Sequence, residues 1–251
     1  MAKNLDFKGF VIDLDGVVYR GEELISDSNR RIASLKKKSK VLFLTNNSTR
    51  TRADYVKKLA RFGINTTEDE IITSAYAAAL YIKQNYKKPN VFVVGEDGLK
   101  SELSWQGIPT GWRGANIVLV GLDREFNYQK LSHALRLIQN GADFIATNTD
   151  NTIVTERGIL PGGGSIVSAV QAACGKEPIV IGKPSQIIGK IVLDRLKLKP
   201  EDVLLLGDRL ETDIAMGNIL GMKTALVLTG ISKREDIEKT GIEPDFVLDK
   251  L

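Results

Sequence analysis

Short apolar runs recur along the chain, each closed by a polar or turn residue, and stretches with helical spacing separate most of them. The strand-like runs are GFVIDL at 9–14, VLFLTNN at 41–47, Ile71 to Thr73, VFVVG at 91–95, IVLVG at 117–121 and FIATN at 144–148. IVIGKP at 179–184, VLLLG at 203–207, TALVLTG at 224–230 and FVLD at 246–249 complete the series. Between them, helices are predicted at 29–38, through Tyr55, Val56, Leu59 and Phe62 to a stop at Gly63, from Ala75 to Ile82, and at 99–105 and 130–138. Further helices are expected through Ile166, Val170 and Ala173, over 186–196, and from Asp213 to a stop at Gly221. Strands alternating with helices predict α/β architecture with parallel sheets buried on both faces. The block at 75–178 repeats the alternation without the paired acids seen before it, and is expected to be a domain inserted between 1–74 and 179–251.

Composition narrows the class. With 251 residues the chain is long enough for one large domain or two, and its 43% hydrophobic content supplies a core. A net charge of +4 suits anionic substrates without calling for nucleic acid, and no nucleic-acid-binding motif is present. Lys36 to Lys38 close a predicted helix, where cations suit the dipole. The single cysteine, Cys174, excludes an intrachain disulfide and a cysteine-based zinc cluster. Without a signal-like segment or a bilayer-length apolar run, a cytoplasmic protein with no membrane partner is expected, and a homodimer is one assembly open to it.

Polar residues collect where the apolar runs end. Asp13 and Asp15, two apart at the close of the first run, are expected to share a face, and Gly16 turns the chain away. At ~5 Å and an effective dielectric of ~20 two carboxylates repel by roughly 3 kcal/mol, which favours a hard divalent cation, Mg²⁺ above all. Capping of a following turn is the plainer alternative. Thr45, Asn46, Asn47 and Ser48 end the second run, either as a helix cap or as donors to a phosphate. Lys183, Asp208 and Asp213 follow later runs. Ligand crevices of open parallel sheets lie at the carboxyl ends of strands, so these groups can converge. Acids for a metal, hydroxyl and amide donors for anionic oxygens and one lysine form the inventory of phosphoryl transfer.

DLDGV at 13–17, TNNS at 45–48, GKP at 182–184 and GDRLETD at 207–213 resemble the four motifs of the haloacid dehalogenase superfamily. The resemblance extends over the whole chain, because the insertion resembles the large α/β cap of the NagD-like, or p-nitrophenyl phosphatase-like, branch. It implies a Rossmann-like core with helices on both faces, a cap at 75–178, and a Mg²⁺-dependent phosphatase acting on small phosphate monoesters such as sugar phosphates, nucleotides and p-nitrophenyl phosphate. It also implies roles. Asp13 would be the nucleophile that becomes an aspartyl phosphate, and Asp15 the acid and then the base. Mg²⁺ would be held by Asp13, the Asp15 carbonyl and Asp208, with Asp213 behind them. Thr45, the amides around Asn46 and Asn47, and Lys183 would bind the phosphoryl oxygens. The loop from Asn148 to Val154 would set substrate choice. It lacks the histidine found there in relatives that act on pyridoxal phosphate, and the sole histidine, His133, falls in a predicted helix. A phosphomutase or phosphotransferase is the alternative enzyme, and a silent phosphate-binding module the alternative outside catalysis. The second acid, Asp15, speaks against silence.

Overall fold

A computed structural model describes residues 6–155 and 158–251, the side chains of 154 and 155 excepted. In chain order the elements are β1 (Gly9–Asp13), β2 (Tyr19–Arg20), β3 (Glu23–Leu24), α1 (Ser28–Lys36), β4 (Lys40–Thr45), α2 (Arg52–Arg61) and β5 (Ile71–Thr73). There follow α3 (Ser74–Asn85), β6 (Val91–Val94), α4 (Asp97–Trp105), β7 (Ile117–Val120), α5 (Tyr128–Gln139), β8 (Asp143–Ala146), β9 (Thr152–Thr155), β10 (Gly158–Pro161) and α6 (Gly163–Cys174). The chain closes with β11 (Ile179–Val180), α7 (Gln186–Leu196), β12 (Val203–Gly207), α8 (Ala215–Leu220), β13 (Lys223–Val227), α9 (Arg234–Thr240) and β14 (Phe246–Leu248). It forms two compact units. One comprises the residues up to Thr45, Tyr55–Ile72 and Lys183–Leu251, and the other Asn46–Asp54 and Thr73–Gly182.

The first unit carries a six-stranded sheet in the order β14, β13, β12, β1, β4, β5. The pairings from β14 across to β4 are parallel. Alternation along β13 shows how both faces are covered. Ala225 and Val227 join Phe10, Ile12, Ile32 and Leu59 in one apolar cluster, whereas Leu226 packs on the other face with Leu210, Ile214 and Ile237. The second unit has a four-stranded parallel sheet in the order β11, β8, β7, β6 and an antiparallel hairpin of β9 and β10. Val118, Val120, Phe144 and Ala146 pack there under Ala134 and Ile138 of α5 and Val167 and Val170 of α6. Trp112 stacks on His133 with ring centroids 5.2 Å apart, so that histidine is an aromatic partner on a helix.

Three elements depart from the sequence-based expectation. The run at 179–184 makes a strand of only Ile179–Val180, and it pairs with β8 in the second unit, in register Ile179↔Ile145. The segment at 46–54, expected in the core, clusters with the second unit. The helix expected to begin at Asp213 is preceded by a wide π turn, Leu210–Ile214, closed in part by Ile214 N donating to the Arg209 carbonyl at 3.4 Å. Among the described residues no helix is long and apolar enough to cross a membrane.

Candidate active site

β1 lies where the strand order turns back on itself. The chain leaves it for β4 on one side and returns to β12 on the other, and such a switch point opens a crevice at the carboxyl ends. Asp13 is level with Leu44, so Thr45 lies one residue beyond it on the neighbouring strand. Ile12 is level with Leu206, which puts Asp208 just past the same edge. Thr45, Asp13, Lys183, Asp208 and Asp213 are all buried.

The charges are arranged around the lysine. Lys183 Nζ lies 2.5 Å from Asp13 Oδ1 and 2.7 Å from Asp213 Oδ1. Burial alone would favour neutral Lys183, but the two carboxylates overcome it and hold the ammonium above its ordinary range. Asp13 is pushed well above the usual carboxylate range, first by burial and then by Asp213 and Asp208, against the pull of Lys183. Burial, followed by Asp213, raises Asp208 to about 6, although the Ile231 N–H opposes the shift by donating to Oδ2 at 2.9 Å. Asp213 is anchored at both oxygens: Oδ1 meets Lys183, while Oδ2 accepts from Arg209 N and Thr212 Oγ1, each at 3.3 Å.

Oxygen atoms of Asp13, Asp208 and Asp213 lie within 4.8 Å of one another, which is an all-oxygen donor set of the kind that hard cations take. The backbone is shaped to admit these carboxylates. A Cβ on Gly16 would lie 2.3 Å from Asp208 Oδ2, one on Gly230 1.8 Å from the same oxygen, and one on Gly207 2.1 Å from the Asp213 Cβ. The residues therefore fit a bound Mg²⁺.

Asp15 lies beyond the end of the strand. β1 stops at Asp13, strand alternation ends with it, and Asp15 sits exposed in the following turn, where Tyr19 OH donates to its Oδ2 at 3.3 Å. The buried partners of Asp13 are thus Asp208 and Asp213. The turn itself is held by Gly16 at φ +85° and by Thr229 Oγ1, which donates to the Gly16 carbonyl at 2.6 Å. The side chains of Asn46 and Asn47 serve the loop. Asn46 Nδ2 donates to Asp150 Oδ2 at 3.1 Å, and Asn47 Oδ1 accepts from Thr49 N and Oγ1 at 2.8 Å. Nor does Ser48 cap α2. That helix begins four residues later, where Thr51 and Asp54 exchange backbone-to-side-chain bonds of 3.1 Å in a reciprocal box. Sequence reasoning missed the glycine cradle and the loop at 229–232. A TG pair after an apolar strand was the available signal, and it reads equally well as an ordinary turn.

Comparison with known proteins gives the ancestry. A family model for haloacid dehalogenase-like hydrolases matches residues 10–109, and one described as HAD-hydrolase-like matches 180–251. The chain belongs to the haloacid dehalogenase superfamily. It is 39% identical to the 5′-nucleotidase YutF of Bacillus subtilis over 98% of this chain and 96% of the relative. It is 38% identical to an acid sugar phosphatase of Staphylococcus saprophyticus, again over 98% and 96%. Among solved structures, the p-nitrophenyl phosphatase from Archaeoglobus fulgidus superposes with a TM-score of 0.93 at 38% identity, covering 98% of this chain and 97% of that one. NagD from E. coli gives 0.91 at 29% identity, with the same coverage. The chain is a haloacid dehalogenase-superfamily phosphatase of the NagD-like branch, with a parallel-sheet core and an inserted α/β domain.

Proposed function

We propose that this phosphatase hydrolyses small phosphate monoesters, such as nucleotides and sugar phosphates, with Mg²⁺ and through a phosphoryl group carried transiently on Asp13. The observation that carries the reading is the buried set of Asp13, Lys183, Asp208 and Asp213 at the switch point. Asp13 attacks phosphorus while the bond to the leaving oxygen breaks, and Asp15 gives that oxygen its proton. Asp15 then takes a proton from water, which attacks the same phosphorus and frees Asp13 and inorganic phosphate. The exposed turn position suits Asp15, since it must exchange protons with a leaving group and with water. Lys183 fixes one oxygen of Asp13 and supplies positive charge for the phosphoryl group, and Thr45 with the amides that follow it donates to the phosphoryl oxygens. Bound by Asp13, the Asp15 carbonyl and Asp208, Mg²⁺ would offset the negative charge that these carboxylates and a phosphate dianion bring together. On this reading the first unit performs the chemistry, the inserted domain acts as the cap that selects the ester, and the protein works in the cytoplasm on small anions, without nucleic acid or membrane.

The test is to trap the phosphorylated protein. Asp15→Asn keeps the shape of the turn and removes the base, so the second displacement should stall and the protein should gain about 80 Da during turnover of p-nitrophenyl phosphate. Asp13→Asn should show no such gain and lose at least on the order of 10³ in kcat with the fold intact. Exhaustive chelation should silence the wild type until Mg²⁺ is restored. An Asp13→Asn protein with most of its activity would refute the proposal.

A further inference from the structure

The segment that follows Thr45 is bedded in the inserted domain at both of its ends. Ser74 Oγ donates to the Asn46 carbonyl at 2.5 Å, and Asn148 Nδ2 donates to the same oxygen at 2.8 Å. At the far end one carboxylate holds Arg52 twice: the Arg52 backbone N–H donates to Glu102 Oε1 at 3.2 Å, and its Nε reaches Oε1 at 3.1 Å and Oε2 at 3.3 Å. Glu102 is 0% exposed, and the Arg52 guanidinium lies 3.8 Å above the Tyr76 ring. Between these two clamps α4 touches the chain itself, since a Cβ on Gly98 would come within 2.5 Å of the Thr49 carbonyl. A buried ion pair is a weak source of stability, whereas charge-assisted bonds to both backbone and side chain restrict geometry strongly.

We propose that Ser74 and Glu102 are positioning residues for phosphoryl binding: from within the inserted domain they fix the Asn46–Arg52 segment, and so aim the amides beyond Thr45 at the phosphoryl oxygens. This rests on the phosphatase reading above, in which that segment meets the phosphoryl group. Neither residue touches substrate. Because every ester presents the same phosphoryl group, loosening the segment should weaken all of them alike, and the metal ligands, which lie elsewhere in the chain, should be unaffected.

The test uses Ser74→Ala and Glu102→Gln in the full chain at saturating Mg²⁺. It measures the inhibition constant for inorganic phosphate, kcat/KM for p-nitrophenyl phosphate, a sugar phosphate and a nucleoside monophosphate, and the Mg²⁺ concentration for half-maximal rate. In each variant the phosphate constant should rise on the order of tenfold, kcat/KM should fall by the same factor for all three esters, and the Mg²⁺ midpoint should not move. Glu102→Gln leaves a buried guanidinium without its counter-charge; if that variant does not fold, Ser74→Ala, which loses one hydroxyl, decides alone. A folded Ser74→Ala protein with a phosphate constant within about twofold of wild type overturns the inference. So do losses that differ among the esters while phosphate binding is unchanged. Thr45→Ala separates the two levels: weakened phosphate binding there but not in Ser74→Ala sinks the inference and spares the reading, whereas wild-type binding in Thr45→Ala sinks both.

Discussion

At the scale of single residues, Lys183 is shared between Asp13 and Asp213, and Asp208 is left to a backbone N–H and a neighbouring loop. Burial, followed by Asp213, gives Asp208 a measurable signature. Its carboxyl is raised from 3.8 to about 6 in the folded protein, so folding favours the protonated form. The resulting cost, roughly 3 kcal/mol, is absent below the unfolded value near pH 4, grows as pH rises, and is complete above about pH 6. Asp208→Asn removes it while still accepting from Ile231. In EDTA at pH 7.5 the variant should therefore melt above the wild type, and the gap should close as the pH falls toward 4.5. Calorimetry across that range checks the sign; a wild type that melts higher at pH 7.5 would contradict it. Mg²⁺ should raise the melting point of the wild type far more than that of the variant.

At the scale of elements, the turn after β1, the end of β12 and the loop after β13 carry the glycines that make room for the acids. Gly230→Ala would put a methyl group 1.8 Å from Asp208 Oδ2, so the carboxylate or the loop must move. The Mg²⁺ concentration for half-maximal rate should rise at least about tenfold, with kcat at saturating metal less affected. Gly111→Ala, where a Cβ meets nothing within 4 Å, is the control and should change neither. These loops also mark the limit of what sequence could reveal. Strands such as Val203–Gly207 announce themselves as apolar runs, and the acids stand out because they interrupt or follow those runs. Which acids would be neighbours in space was legible through the family resemblance and not from their spacing. Asp13 reads as paired with Asp15 because they are two residues apart, yet its buried neighbour Asp213 is brought in by the π turn after β12. Likewise the apolar IVI at 179–181 looks like any buried strand, and only pairing with β8 assigns it to the second unit.

At the scale of the whole molecule, the segment at 147–151 is tied to the chain neighbours of two site residues. Asp150 holds Asn46, next to Thr45, and the Thr147 carbonyl accepts from Gly182, next to Lys183, at 2.8 Å. Ile153, farther along, packs on the apolar cluster of the second unit, so it supports the hairpin and is a poor probe of substrate choice. Asn151 is exposed. Asn151→Leu should therefore reorder esters by kcat/KM without altering the Mg²⁺ requirement, as a panel of monoesters assayed with and without metal would show. A uniform loss across the panel would make the loop scaffold only.

The central place of β1 also governs how the protein must be made. Its two sheet partners, β4 and β12, lie far apart in the chain, and everything between Asn46 and Gly182, apart from the stretch at 55–72, belongs to the other unit. During synthesis one edge of a strand of fully buried residues stays unpaired until Val203–Gly207 has left the ribosome. By then the four-stranded sheet closed by Ile179–Val180 already has all its strands. Domains generally fold as units as the chain emerges, and long-range strand pairing is slow, so the inserted domain has all its strands while the core sheet still lacks β12, β13 and β14. Asp13 on β1 and the acids Asp208 and Asp213 after β12 are brought together only once those two strands have paired.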